Sequence, residues 1–138
     1  MDKILINWDE SYSVGSNIID EQHKKLIELI NKFFNLFSDG KANEAVPEIL
    51  GELVNYTKYH FKTEEDLFKK FNYPLTDEHI EKHAKLIKKV NQWNEELKTN
   101  SANIHYDLII FLKDWVIEHI KGDDKDYGQY FKENDIRF

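Results

Sequence analysis

Four stretches of this chain repeat apolar residues at helical steps of three and four. Each repeat is broken by histidine, and one also by glutamate, at positions that should face a core. The first carries Ile19, His23, Leu26, Ile30, Phe33 and Phe37. The second runs Val46, Ile49, Leu53, Tyr56, His60, Glu64, Leu67, Phe71. The third is His79, His83, Leu86, Val90, Trp93, Leu97, and the fourth Leu108, Leu112, Trp115, His119. Such steps stack side chains on one face, so each stretch predicts an amphipathic helix. Ser38-Asp39-Gly40, Asn72-Tyr73-Pro74 and Thr99-Asn100-Ser101-Ala102-Asn103 separate them. Thr76 or Asp77 is placed to cap the third helix, and Gly122 falls where the fourth should end. Four helices on short loops predict an all-α, up-down-up-down antiparallel four-helix bundle. The reading is one domain over 1–138: an arm to about 17, a bundle over about 18–122 and a short tail from about 123. Trp8, Tyr12, Tyr127, Tyr130 and Phe131 give arm and tail something to pack with.

Burying a carboxylate costs several kcal/mol unless it is paired or bound to a cation. One core histidine is ordinarily just hydrogen-bonded, and a lone His-x-x-x-His is a weak motif. The topology changes that weighing. His23 lies near the start of the first helix, His60 and Glu64 near the end of the second. His79 and His83 open the third and His119 closes the fourth. In an antiparallel bundle those four places are one end of the molecule. Converging imidazoles and carboxylates make a metal site. Asp124 supplies a further carboxylate, although five residues from His119 is about 140° off the face of an ideal helix. The last turn must loosen to bring both inward, which Gly122 permits. Asp123 is a rival that spacing alone does not exclude. Five imidazoles and two carboxylates are too many for one ion but suit two with bridging carboxylates. A carboxylate-rich di-iron oxidase would need four acidic ligands and Glu-x-x-His on two helices, a motif absent here.

Composition narrows the classes of function. With no cysteine there are no disulfides, thiolate metal sites or cysteine nucleophiles. A formal charge of −7 disfavours nucleic acid, whose phosphates would be repelled. No run approaches the ~18 apolar residues of a membrane span. The first residues, Met1 to Asn7, are too short and too acidic for a signal peptide. The expectation is a cytoplasmic monomer with no nucleic-acid or membrane partner.

The spaced set His23, His60-x-x-x-Glu64, His79-x-x-x-His83 and His119 to Asp124 resembles the full ligand pattern of the hemerythrins. Trp8, Tyr12-Ser13-Val14-Gly15, Ile19 to Lys24, Tyr73-Pro74 and Asp124-x-x-Tyr127 are similar to the stand-alone bacterial members, the bacteriohemerythrins. The resemblance implies two non-haem iron ions per chain. His79, His83 and His119 would hold one, His23 and His60 the other, with Glu64 and Asp124 bridging. It implies that dioxygen binds at an open position on the two-histidine iron and is released again. Two anionic ligands push less electron density toward the O–O bond than four, which favours reversible binding over cleavage. A carrier must keep water and protons from the bound oxygen. Leu26, Phe61, Trp115, Val116 and Ile120 neighbour the ligands and are the candidates for that dry wall. A di-iron oxidase, peroxidase or nitric-oxide-handling enzyme would use the same ligands, and an oxygen sensor acting through a separate partner is a further alternative.

His105 stands outside the ligand set, at the opposite end of the bundle, and reads as a surface or loop histidine. Glu21, Asp66, Glu118 and Asp123 are polar neighbours of ligands, placed to accept from imidazole N–H groups. A purely structural bundle would leave Glu64 and five histidines buried without compensation. Chelation is therefore expected to lower the unfolding midpoint. A ligand held only by the folded state contributes about 2.7 kcal/mol at a hundredfold excess over its Kd. Equal calorimetric stability with and without metal would return these positions to ordinary core.

Overall fold

The computed structural model describes residues 4–97 and 104–138, and for 42–46 the backbone alone. The separator Thr99 to Asn103 and the side chain of Val46 lie outside the described residues. Four long helices, α1 (Asn17–Ser38), α2 (Ala42–Lys70), α3 (Thr76–Leu97) and α4 (Ile104–His119), make the bundle. A π-helical turn (Ile120–Asp124) follows α4 and leads into α5 (Lys125–Glu133), and a short 3₁₀ turn (Glu10–Tyr12) precedes α1. Helix α1 packs on α2 and α4, and α3 on the same two, as a four-helix bundle requires. No strand occurs among the described residues.

Helix α1 starts where Ser16 accepts from the Ile19 N–H, satisfying one of the free donors of its first turn. Asp20 accepts from the Ser13 hydroxyl and the Val14 N–H, which fixes the path of the arm into the helix. Ile19, His23, Leu26, Ile30 and Phe33 are buried as the seam predicts, and Phe37 is half-buried. One side chain ties down the backbone at the start of the described arm. Asn31 accepts from the Leu5 and Ile6 N–H groups and donates to the Ile6 carbonyl. Lys121 sits 4.7 Å over the ring of Tyr12, and Lys24 5.2 Å over Trp8.

Helix α2 ends in a turn whose Asn72 has φ 54°, and the Tyr73 N–H reaches back to the Phe68 carbonyl. Thr76 is the first residue of α3 rather than an accepting cap: its hydroxyl donates to the Tyr73 carbonyl. Near the end of α2 the buried residue is Phe68, while the seam positions Leu67 and Phe71 are only half-buried.

Two expectations are corrected here. Gly122 does not end the helical path, which widens through the π turn and runs on to Glu133, so most of the predicted tail is helix. The Lys125 N–H donates to the Ile120 carbonyl, five residues back, which is the widened turn itself. His105 is not a surface histidine. It is buried beside Ile104, Leu108 and Ile109 on α4, and burial pushes its pKa down.

The core has two parts. The larger joins residues of all four bundle helices, among them Ile30, Phe33, Leu53, Leu86 and Leu108. The smaller gathers Val14, Ile19, Phe68, Tyr73, Tyr127 and Phe131 at the end where α5 lies. The contact of α5 with the arm depends on Gly128, because a Cβ there would lie 2.5 Å from the Val14 carbonyl oxygen. Backbone cannot yield as a side-chain tip can. Gly128→Ala is expected to lower stability by about 1–3 kcal/mol in urea unfolding.

Candidate metal centre

The seven residues singled out in the sequence meet between these two parts of the core. All are buried, with His23, Glu64 and Asp124 fully so. Phe61 of the larger part stacks flat on His83 with centroids 3.6 Å apart, and Phe68 and Tyr127 of the smaller flank His79. The donor atoms fall into two groups, each with its atoms within 4.8 Å of one another. One is Glu64, His79, His83, His119 and Asp124; the other is His23, His60, Glu64 and Asp124. Both carboxylates belong to both groups.

The π turn makes this possible. It places Asp124 Oδ1 3.2 Å from His119 Nε2 and 3.0 Å from His79 Nε2, while Oδ2 lies 3.0 Å from His23 Nε2. Glu64 Oε1 lies 3.2 Å from His60 Nε2 and 3.3 Å from His83 Nε2. His119 Nε2 is 3.2 Å from the Nε2 atoms of both His79 and His83. Three imidazole nitrogens cannot crowd like this on lone pairs alone; they need protons or a cation among them.

Asp123, the rival carboxylate, lies outside both groups. It accepts at 3.2 Å from His119 Nδ1 and takes Lys82 at 2.6 Å. Two other outward nitrogens are also engaged. His83 Nδ1 meets Glu65 Oε2 at 2.9 Å, and His60 Nδ1 meets Gln22 Oε1 at 2.7 Å. Tyr127 donates its O–H to Glu64 Oε2 at 2.5 Å.

A set of orphaned polar atoms tests the fit to a metal. His23 Nδ1 and Nε2, Glu64 Oε1 and both Asp124 oxygens are buried without a hydrogen-bond partner. Natural proteins rarely leave so many together, and four of these five point into the space the two groups enclose. Electrostatics agree. Burial raises the Asp124 pKa, yet the charge on His119 and the hydrogen bonds of His119, His23 and His79 together outweigh it and hold the carboxyl well below its ordinary range. Burial and Asp124 push Glu64 up, but His60 and His83 bring it down overall. His119 loses by burial and gains more from Asp124 and Asp123, ending at about 10. Burial and then the charges of Glu64 and Asp124 push Tyr127 well above its ordinary value, so it remains a donor. The site holds two buried negative charges and collects positive charge to match them. A metal ion on these nitrogens does the same with the imidazoles neutral.

Comparison with known proteins decides the family. The hemerythrin HHE cation binding domain matches residues 14–131. The chain belongs to the hemerythrin family. It is similar to a hemerythrin-like protein of Naegleria gruberi, 41% identical over 88% of this chain and 89% of that one. It is also similar to the bacteriohemerythrins of Stenotrophomonas maltophilia, 31% identical over 93% of this chain and 82% of that one, and of Clostridium acetobutylicum, 29% identical over 87% and 96%. In this hemerythrin chain the centre is a buried His/Glu/Asp cluster able to bind metal, and no described helix is long and apolar enough to cross a membrane.

Of the five apolar neighbours, Leu26, Trp115 and Val116 line one small cavity beside the centre. Phe61 instead covers His83 and borders an outer groove, and Ile120 sits in the larger core at the start of the π turn. Among the polar neighbours Asp123 does accept from an imidazole, but Glu21 pairs with Lys24 and Asp66 with Lys62, while Glu118 is exposed. Gln22, Glu65 and Tyr127 were missed as partners of the site. Gln22 and Glu65 each adjoin a seam residue, His23 and Glu64, and Tyr127 stands three residues after Asp124, which are the signals that would have found them.

Tyr127→Phe is expected to leave Glu64 Oε2 buried without its donor. The cost is about 1–3 kcal/mol of stability, with weaker metal retention, read by calorimetry and by metal content after dialysis. Unchanged retention would show that the phenol only packs.

Proposed function

We propose that this chain is a cytoplasmic monomer that binds dioxygen reversibly at a non-haem di-iron centre, as an oxygen carrier, store or supplier rather than an enzyme. The observation that carries the reading is the membership of Glu64 and Asp124 in both donor groups. Two carboxylates common to two sets of imidazoles suit a pair of ions bridged by them. His79, His83 and His119 would hold one and His23 and His60 the other. Bound there, two ferrous ions supply the two electrons that dioxygen takes up and gives back.

The chain's own residues favour return of the oxygen over its reduction. The smaller donor group has one imidazole fewer, leaving room for a small ligand. Next to the centre lies a cavity of ≈ 20 Å³ whose walls include Leu26, Thr57, Leu86, Trp115 and Val116. Leu26 and Leu86 stand three residues after His23 and His83, and Thr57 and Val116 three before His60 and His119. The cavity therefore begins one helical turn from the ligand layer and, past Ile30, Leu53, Val90 and Leu112, reaches a second turn toward the middle of the bundle. Its volume suits one molecule about the size of water. Thr57, the polar residue of the wall, spends its O–H on the Leu53 carbonyl at 2.7 Å. No acidic or basic side chain faces the cavity, so nothing in its wall delivers a proton to bound oxygen.

Anaerobic loading with ferrous iron, admission of air and removal of oxygen, followed by visible absorption, tests the proposal. A charge-transfer band that appears with oxygen and vanishes on stripping is expected. A band that persists, or bleaches as reductant is consumed, would move the function to oxidase or peroxidase chemistry. In the same cycle Trp115→Ala, which opens the cavity wall beside His119, is expected to speed irreversible oxidation several-fold. An unchanged rate would reduce Trp115 to packing.

A further inference from the structure

The outward nitrogens of the imidazoles are not treated alike. On the three-histidine side, His83 Nδ1 faces a carboxylate, Glu65, at 2.9 Å, and His119 Nδ1 faces Asp123, whose charge Lys82 shares at 2.6 Å. On the two-histidine side neither partner is charged. His60 Nδ1 faces the amide of Gln22, and His23 Nδ1 has no partner at all.

The direction of the Gln22 contact is set by its neighbours. The Thr63 hydroxyl donates to the Tyr59 carbonyl, which leaves its oxygen free to accept. The Gln22 amide nitrogen donates to that oxygen at 3.4 Å, so the amide oxygen is turned to His60. His60 therefore donates from Nδ1 and keeps the lone pair of Nε2 for the site. Gln22 is buried, so solvent does not replace or screen this contact.

An imidazole whose outer N–H is held by a carboxylate is a stronger electron donor than one held by a neutral carbonyl. From this asymmetry we infer that Gln22 is a positioning residue that keeps the two halves of the centre electronically unequal. It orients His60 without adding charge, so the two-histidine half holds its cation more loosely, while Glu65 tightens the three-histidine half. The inference rests on the two-ion reading of the site but not on what the ions do with oxygen.

Isosteric exchanges test it without changing volume. The full chain, loaded anaerobically with two ferrous ions, is mixed with excess bathophenanthroline disulfonate, and the coloured complex reports each ion as it leaves. Two phases are expected. Gln22→Glu is expected to slow the faster phase about tenfold and leave the slower one in place, while Glu65→Gln speeds the slower phase about tenfold and leaves the faster one. Release in a single phase from the unaltered chain, both variants acting on the same phase, or neither acting at all would each overturn the inference. The readout needs no oxygen. Split phases in a chain that shows no reversible oxygen band would sink the dioxygen proposal and leave this one standing. An intact oxygen cycle with unsplit phases would do the reverse.

Discussion

Two carboxylates with no exposure to solvent govern the architecture of this molecule. Glu64 and Asp124 are both held in their charged forms at the centre of one end of the bundle. Isolated charges there would cost several kcal/mol each. The end closes because what faces them can donate to them or hold a cation beside them: five imidazoles, at least one from each bundle helix, and the phenolic O–H of Tyr127. Apolar residues on both sides then strengthen these interactions by excluding water. The larger part of the core seals the layer from below through Phe61, and the smaller part seals it from above through Phe68 and Tyr127.

The widened turn at the end of α4 decides how the last histidine is used. In a regular helix the residue four after His119 would come round beneath it, and that residue is Asp123. The π turn instead carries Asp124 to the inner nitrogen and leaves Asp123 on the outer one, so the two acids occupy opposite nitrogens of one ring at the same 3.2 Å. The helix then resumes in register, and Tyr127, three residues on, points at Glu64. One added residue in the turn thus places a carboxylate of the cluster, a partner for the His119 ring and the donor to the other carboxylate.

This explains what could be seen in the sequence and what could not. The buried His/Glu/Asp cluster was legible because polar residues on an apolar seam break a rule, and because helix direction brings the breaks to one end. Asp124 was legible as a candidate through the demand for a loosened turn, which the structure meets, while its choice over Asp123 came from the resemblance. The stop at Gly122 was misread because glycine costs a helix only about 1 kcal/mol, and the packing of Tyr127 and Phe131 beyond it is larger. His105 was misread because Asn103, Tyr106 and Asp107 beside it are polar, while the face it shares with Leu108 and Ile109 is not. Gln22 and Glu65 went unseen for a different reason. Seam reading ranks residues by burial on one helix, whereas these matter through a contact across to the next.

That difference separates what a family shares from what tunes a member. Seven donors at one end of the bundle make a cluster able to bind metal. Affinity and potential depend further on the atoms behind the imidazoles, where a carboxylate and an amide of nearly equal shape have unlike electrical effects. Gln22 and Glu65 occupy such positions, each adjacent in sequence to a ligand and each reaching a histidine of another helix. Exchange of either for its isostere leaves the packing of the bundle nearly unchanged while altering the charge behind one ring. The fold can therefore stay constant while the charge behind one ring is changed, because these two residues sit one step off the seam that the core constrains.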